Sequence, residues 1–161
     1  MTVDERPDPA SFPGGVSLTH VTVYDVPGTD GVAGGTPHLH TASAEAYLVL
    51  AGQGTVQTLG SQGYREDALA PGAVLWFTPG TVHRLVNGGG LELVVLMQNS
   101  GLPEAGDAVM TFPLEVLGDP QAYARAATLP DADAGTDVTA AVVRRRALAL
   151  EGYDRWRADV G

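Results

Sequence analysis

Four side chains in this sequence have the types and the spacing of a metal-binding site: His38, His40, Glu45 and His83. His38 and His40 are two residues apart, so their imidazoles emerge on the same face of a β-strand. Imidazole nitrogen is the commonest protein ligand of transition metals, and one carboxylate lowers the net charge of the site. The chain has no cysteine, which excludes thiolate zinc and iron–sulfur sites. The pattern predicts one metal site with nitrogen and oxygen ligands.

The chemistry of such a site follows from its ligand number. Three neutral imidazoles and one carboxylate leave two positions on a six-coordinate ion, and these can take a chelating substrate, or a substrate and dioxygen together. The ion can then act as a Lewis acid, as a source of hydroxide or as a redox centre. Glu45 is interpreted as a ligand, and a role as general base is the alternative.

Glycine and proline surround these residues at regular intervals. Downstream of the histidine pair, four residues separate His40 from Glu45, and six more lead to Gly52. A second stretch begins at Gly72 and passes through Pro79-Gly80 to His83, with Asn87 after three more residues. Proline pre-sets φ and glycine takes positive φ, so Pro79-Gly80 predicts a tight turn that leads His83 into its strand.

This arrangement resembles the two conserved motifs of the cupin superfamily, G(X)5HXH(X)3-4E(X)6G and G(X)5PXG(X)2H(X)3N. The resemblance covers roughly residues 16–99. Two positions depart from the motifs: Gly31 lies one residue too far upstream to be the opening glycine, and Thr78 replaces a proline that follows one place later as Pro79. Neither departure falls on a predicted ligand.

The resemblance implies an all-β fold, a cupin-type double-stranded β-helix or jelly-roll barrel. It implies one divalent transition metal ion, which in similar cupins is iron, manganese, nickel, zinc or copper, and the sequence does not choose among these. It also implies a small-molecule ligand inside the barrel and a homodimer. Exposed edge strands and an apolar stripe on the C-terminal helix are compatible with the dimer.

Hydrophobic patterning places the elements that carry these residues. Short runs rich in Val, Thr, Leu and Tyr, separated by glycine, predict a sandwich or barrel. The predicted strands are 17–24, 38–41, 46–50, 55–59, 74–78, 82–86 and 91–98. Hairpin turns are predicted at Gly52–Gly54 and at the Asn-Gly-Gly-Gly stretch that begins at Asn87. We expect an N-terminal arm at 1–15, the barrel at 16–101 and a C-terminal extension at 102–161.

The C-terminal extension carries two predicted helices that pack on the barrel or on a partner subunit. Asp119 as N-cap and Pro120 at the first helical position start a helix over 121–128. An acidic linker at 131–137 precedes a second helix over about 138–157. An apolar stripe on that helix runs through Ala140, Val143, Ala147, Leu150, Tyr153 and Trp156, so Arg144, Arg145 and Arg146 are expected mostly on the solvated face.

Composition limits the partners. The chain has 161 residues, a formal net charge of −10 and no lysine, so it is expected to be one domain that repels nucleic acid and anionic membranes. No secretory signal or membrane-length apolar run is visible, and a cytoplasmic location is the expectation.

Strand parity predicts which side chains surround the metal. Tyr47 and Val49 share the face of Glu45, and Leu85 shares that of His83; Gln57, Trp76 and Met97 are weaker candidates. Arg84 should point away from the barrel interior, which argues against phosphate-bearing substrates. His20 is expected to be structural or exposed.

Three functions fit these observations. The first is a metal-dependent oxygenase or isomerase acting on a small organic substrate, and the second is a non-catalytic barrel that binds or senses a small molecule. The third is a structural cupin with incidental metal. A fold of this kind hosts many chemistries and does not decide among them.

Overall fold

Residues 14–130 and 138–160 are described by the structure, a computed structural model. The predicted linker at 131–137 and most of the predicted N-terminal arm lie outside the described residues. The strands are β1 (Val16–Thr22), β2 (His38–His40), β3 (Glu45–Gly60), β4 (Gly63–Leu69), β5 (Val74–Phe77), β6 (Val82–Gln98) and β7 (Ala108–Met110). A helical turn (Pro103–Asp107) and the helices α1 (Leu114–Leu117), α2 (Pro120–Ala127) and α3 (Val138–Val160) complete the described elements.

Two long antiparallel strands, β3 and β6, form the centre of the sheet. β5 and β4 pair with the free edge of β3, while β1 and β2 pair with β6, and β7 adds to β2. Alternate side chains of these strands point inward and form the main core, which includes Tyr47, Val49, Val56, Leu91 and Leu93. The predicted all-β fold with a helical C-terminal appendage is confirmed.

The predicted hairpin turns at Gly52 and Asn87 are wrong. Both glycine-rich stretches lie inside β3 and β6, where the pairing of the two strands shifts register between Val49 and Gly54. Gly52 has φ 72°, and a Cβ atom there would lie 2.0 Å from the carbonyl oxygen of Gly90. The glycines therefore allow two bent strands to approach each other, instead of reversing the chain.

Strand β4 was not expected from the sequence. It contains Arg65, Glu66 and Asp67, three charged residues that break the apolar alternation used to recognise strands. The strand is half-exposed. It is held in place by hydrogen bonds with β3, from the position where Gly54 is opposite Leu69 to the position where Gly60 is opposite Gly63. Pairing to a neighbour outweighed the low β-propensity of its residues.

The two predicted helices are present. The side chain of Asp119 accepts hydrogen bonds from the N–H groups of Gln121 and Ala122 (2.8 and 3.2 Å), as expected of an N-cap before Pro120. α3 packs on the barrel through Leu150 and Tyr153, which are buried, with Tyr153 in contact with Leu59 and Val82.

The expectation for the arginine run is wrong at Arg146. Its side chain is buried and donates hydrogen bonds to the carbonyl oxygens of Gly34 and Pro27 (both 2.9 Å), while Val143 of the predicted apolar stripe is exposed. The reason is that the loop before β2 covers a second side of α3. Within the described ranges, no helix is both long and apolar enough to cross a membrane.

Candidate metal centre

Strand β2 carries the two neighbouring histidines into the barrel. It is three residues long and lies between β6 and β7, which fix its register: His38 is directly opposite His83 of β6. Because the side-chain period of a strand is two, both histidines face the same side. The ring centroid of His38 lies 5.1 Å from that of His40 and 4.3 Å from that of His83.

The other two side chains come from the first residues of the long strands. Glu45 is the first residue of β3, and His83 is the second residue of β6. The turn before β6 contains Gly80 with φ 82°, and its N–H donates to the carbonyl oxygen of His40 at 2.7 Å. The predicted Pro79-Gly80 turn is confirmed, and it ties the start of β6 directly to β2.

All four predicted ligands meet inside the barrel. One ligand atom from each of His38, His40, Glu45 and His83 lies within 4.8 Å of the others. The Oε2 atom of Glu45 is 3.2 Å from Nε2 of His40 and 2.9 Å from Nε2 of His83. The side chains of the last three residues are at most 5% exposed, so the cluster is shielded from water.

Unsatisfied polar atoms provide a test of whether a metal ion fits this cluster. The atoms Nε2 of His40, Oε2 of Glu45 and Nε2 of His83 are buried, and none of them has an aligned hydrogen-bond partner in residues 14–130 and 138–160. Buried polar atoms in proteins almost always have such a partner, and each one that lacks it needs an explanation. Convergent imidazole and carboxylate donors of this kind match the ligand preference of a divalent transition ion.

The second ring nitrogen of two histidines is held by the backbone. Nδ1 of His38 lies 2.9 Å from the carbonyl oxygen of Thr36, and Nδ1 of His83 lies 3.1 Å from that of Thr81. A carbonyl only accepts, so each Nδ1 must carry the hydrogen. The lone pair of each Nε2 is then free and directed into the cluster, as in metal-bound histidines generally.

Electrostatics keeps two members of the cluster, His38 and Glu45, in the protonation states that a cation needs. Burial, followed by the nearby His83, lowers the pKa of His38 to about 3, so this imidazole is neutral at pH 7. Burial of Glu45 favours the neutral acid, but the contacts with His40 and His83 outweigh it and hold the pKa of this carboxyl well below its usual range. A neutral imidazole and an ionised carboxylate are the forms that bind metal.

Asp107 is a further residue of the site that the sequence reasoning missed. Its side chain is 1% exposed, and its Oδ2 lies 3.5 Å from Nδ1 of His40. Burial raises the pKa of this carboxyl. Hydrogen bonds from the Thr41 hydroxyl and from the backbone N–H groups of Thr41 and Ala42 outweigh burial and hold the pKa well below its usual range. Asp107 lies outside any motif, so only the folded chain places it beside His40.

The predicted wall of the site is built partly as expected. Tyr47 is buried on the face of Glu45, and burial together with this carboxylate raises the pKa of its phenol well above the usual value. Phe77, which was not predicted, lies 4.2 Å from the ring of His83 between centroids. Trp76 is 73% exposed on the outer face of the sheet, so its candidacy as a wall residue is wrong.

The structure also places the other predicted wall residues, together with Arg84 and His20. Val49 and Met97 are buried in the barrel, whereas Leu85 and Gln57 are half-buried. Arg84 points away from the cluster and forms a 2.6 Å ion pair with Asp30. His20 is exposed and contacts Glu92 at 3.2 Å, as expected for a histidine outside the site.

Comparison with known proteins places this fold and site in a family. A sequence profile of the cupin domain matches residues 26–98. The germin-like protein subfamily 1 member 2 of Arabidopsis thaliana is 33% identical, over 86% of this chain and 66% of that relative. The chain therefore spans about two thirds of that protein's length.

Solved structures agree with the profile at the level of the fold. An oxalate decarboxylase variant from Bacillus subtilis superimposes with a TM-score of 0.52 at 18% identity, covering 66% of this chain and 26% of that one. A second structure of the same enzyme, determined in work on its Mn(II) centres, gives a TM-score of 0.51 at 20% identity, covering 64% and 27%. The profile, the relative and the shared barrel together show that the chain belongs to the cupin superfamily.

Proposed function

We propose that this cupin holds one divalent transition metal ion through His38, His40, Glu45 and His83. The observation that carries the proposal is the convergence, inside the barrel, of three buried ligand atoms that have no aligned hydrogen-bond partner among the described residues. An ion bound there supplies Lewis acidity, and iron, copper or manganese also supplies electron exchange with dioxygen. Iron, manganese, nickel, zinc and copper all suit the donor set.

The second part of the proposal is that the protein is an enzyme, an oxygenase or an isomerase of a small organic molecule. The side chains beside the cluster are mainly apolar, with Phe77 on His83 and the core of the barrel behind them. Arg84, the cation next to His83 in sequence, is paired with Asp30 outside the barrel. Apolar surroundings without a free cation suit a compact molecule that chelates through two oxygens, and they disfavour phosphate esters.

Tyr47 has a role in this proposal as a hydrogen-bond donor. Burial and the neighbouring Glu45 keep its phenol protonated across the physiological range, because they raise its pKa. A protonated phenol beside an ionised carboxylate can donate to an oxygen of the substrate while Glu45 remains a ligand. The walls of the barrel exclude water, and the low dielectric there strengthens both the hydrogen bond from Tyr47 to the substrate and the attraction between Glu45 and the metal ion.

A turnover assay tests the enzymatic part. Metal-free protein is loaded in turn with Fe(II), Mn(II), Ni(II), Zn(II) or Cu(II) and mixed with small oxygen chelators: dicarboxylates, 2-oxo acids, 1,2-diols and catechols. Oxygen uptake reports an oxygenase, and proton NMR under argon reports an isomerase. We expect turnover with at least one ion, a loss of more than about 100-fold in Glu45→Gln, and little change in the control Glu92→Gln.

The alternative function is a barrel that binds a small molecule without turnover. Its support is the tight enclosure of the cluster, in which the side chains of His40, Glu45 and His83 are at most 5% exposed. Binding of a chelator without product, measured by calorimetry on the metal-loaded protein, would favour this alternative. Turnover that is equal in wild type and Glu45→Gln would contradict the metal-dependent enzyme.

We also propose that the protein is a homodimer that associates through the outer face of four strands, β5, β3, β6 and β1. Two cross-strand rows form this face: Trp76, Ala46, Leu96 and Leu18 in one, and Val74, Leu48, Val94 and His20 in the other. Trp76, Val74 and Leu18 are 73%, 58% and 37% exposed. Neither row contains an acidic side chain, so copies with a net charge of −10 meet here with the least repulsion.

The Trp76→Glu variant is expected to be monomeric where the wild type is dimeric, because it puts a carboxylate on the apolar face in place of a tryptophan that is 73% exposed. Light scattering after gel filtration measures the mass. Leu114→Glu is the matched control, since Leu114 is 70% exposed on α1, outside this face. A monomeric wild type, or a dimer that survives Trp76→Glu and not Leu114→Glu, would refute this interface.

A further inference from the structure

We propose that Asp107 is a positioning residue of the metal centre: it holds His40 in the tautomer that binds metal, and it does so from a segment beyond the cupin motifs. The inference rests on the proposed function. Asp107 ends the helical turn after β6, nine residues beyond the part of the chain that the cupin profile matches (residues 26–98). The Oδ2 of its buried side chain lies 3.5 Å from Nδ1 of His40.

The carboxylate of Asp107 is clamped by the loop that follows β2. Its Oδ1 accepts hydrogen bonds from the backbone N–H groups of Thr41 (2.8 Å) and Ala42 (2.7 Å) and from the Thr41 hydroxyl. Its Oδ2 accepts from the N–H of Ser43 at 3.2 Å. With both oxygens engaged, the carboxylate cannot rotate away, and Oδ2 stays directed at the ring of His40.

An acceptor beside Nδ1 is the feature that we assign to all three histidines. His38 and His83 each have Nδ1 against the carbonyl oxygen two residues upstream. For His40 that upstream position is His38, and Nδ1 of His40 has no aligned hydrogen-bond partner within the described part of the chain. We assign this acceptor role to Asp107, whose Oδ2 lies 3.5 Å from Nδ1 of His40. Two carboxylates therefore compete for the hydrogen of His40: Asp107 at Nδ1, and Glu45, whose Oε2 lies 3.2 Å from Nε2. Hydrogen on Nδ1, the position that Asp107 favours, leaves the Nε2 lone pair for the metal.

A purely structural role for Asp107 makes a different prediction. If the side chain only anchors the 41–43 loop, its replacement lowers thermal stability and leaves the chemistry of the His40 ring unchanged. If it positions the ring, the replacement changes the tautomer and the affinity for metal. The two roles separate in Asp107→Asn, because the amide oxygen can still accept the N–H groups of Thr41 and Ala42, whereas the amide nitrogen replaces Oδ2 and turns a donor toward His40 and toward the N–H of Ser43.

The metal experiment uses Co²⁺ as the probe, followed by its visible absorption and by competition with a chromophoric chelator. We expect the dissociation constant to rise about 10- to 100-fold in Asp107→Asn, as is typical when the partner of a ligand histidine is changed. Asp30→Asn is the matched control: it also replaces an aspartate that contacts a side chain of the barrel, here Arg84, away from the cluster. We expect its Co²⁺ affinity to stay within about threefold of wild type.

The second measurement needs no metal. Nitrogen-15 NMR of the metal-free protein reads the tautomer of His40, whose signals are assigned by their loss in His40→Ala. We expect hydrogen on Nδ1 in the wild type and on Nε2 in Asp107→Asn. Hydrogen on Nε2 in the wild type overturns the inference, as does unchanged Co²⁺ affinity in a folded Asp107→Asn.

These two readouts also separate the inference from the proposed function. If the wild type binds no Co²⁺ but its His40 tautomer depends on Asp107, the metal proposal fails and the orienting role of Asp107 stands. If the wild type binds Co²⁺ and the tautomer is the wrong one, the role of Asp107 fails alone. Should Asp107→Asn not fold, the tautomer in the wild type decides by itself.

Discussion

Protein purified without chelator or metal-affinity resin is expected to contain close to one equivalent of a divalent transition ion, and His40→Ala is expected to lose it. The substitution removes one of four donors and leaves Oε2 of Glu45 without its 3.2 Å neighbour. Since loss of an outer partner alone costs about 10- to 100-fold in affinity, loss of a ligand should cost more than about 100-fold. Elemental analysis by mass spectrometry measures the content directly.

The control for this experiment is His20→Ala. His20 is an exposed histidine of β1 that contacts Glu92, so its removal takes away an imidazole without touching the cluster. We expect the metal content of this variant to equal that of the wild type. Metal that persists in His40→Ala would locate the ion elsewhere, and a wild type that takes up no ion on reconstitution would rule out the metal centre.

Gly52→Ala is expected to cost about 4 kcal/mol in the free energy of unfolding, a large part of the roughly 5–15 kcal/mol that stabilises a typical domain. The added methyl group would lie 2.0 Å from the carbonyl oxygen of Gly90 and 2.2 Å from its carbon. Both are backbone atoms of β6, so the clash is relieved only by moving the two central strands apart. Urea unfolding followed by circular dichroism measures the effect.

Gly63→Ala separates the clash from the backbone conformation. Gly63 also has a positive φ, 87°, but no atom of the described residues lies within 4 Å of an added Cβ. We expect it to cost only about 1–2 kcal/mol, the penalty of a left-handed conformation for an L-residue. Equal costs at Gly52 and Gly63 would mean that the central strands have room to part, contrary to the structure.

The contrast between these glycines shows what local sequence reveals about the fold. Gly52 and Asn87 carry the signals of a hairpin turn, because a turn and a bulge both call for glycine and positive φ. Which of them forms depends on the partner strand, and here β3 pairs with β6 along its whole length. The runs of β-branched residues predicted the segments that form β1, β2, β3, β5 and β6, but they missed β4 and β7. The pairing of the strands is a long-range property that such runs do not show.

The residues of the site also divide into those that local sequence rules predicted and one that they did not. His38 and His40 share a face through strand period alone, and the Pro79-Gly80 turn fixes the entry of His83, so local rules predicted where these side chains converge. Asp107 is one of many isolated aspartates in the chain, and nothing near it in sequence distinguishes it. Its place beside His40 comes from the pairing of β7 with β2, which brings the two segments together.

Arg146 illustrates a different limit. A helical wheel assigns one buried stripe to α3, and it predicted Leu150 and Tyr153 correctly. It cannot foresee that a loop will cover a second side of the helix, where two backbone carbonyls need a donor. An arginine with several N–H groups meets that need better than the apolar residues of the stripe, so the solvated-face rule fails there.

The pairing of β1 with β6 has a consequence during synthesis. Val16 pairs with Gln98, so the ribosome must add roughly 80 residues after β1 begins before its partner is complete. At about 5–20 residues per second, β1 waits roughly 4 to 16 seconds with its hydrogen-bonding groups unpaired. His38 likewise waits for His83. The nascent barrel, metal centre included, can therefore assemble only after β6 has left the exit tunnel, and the interval before that is when the chain is most exposed to aggregation.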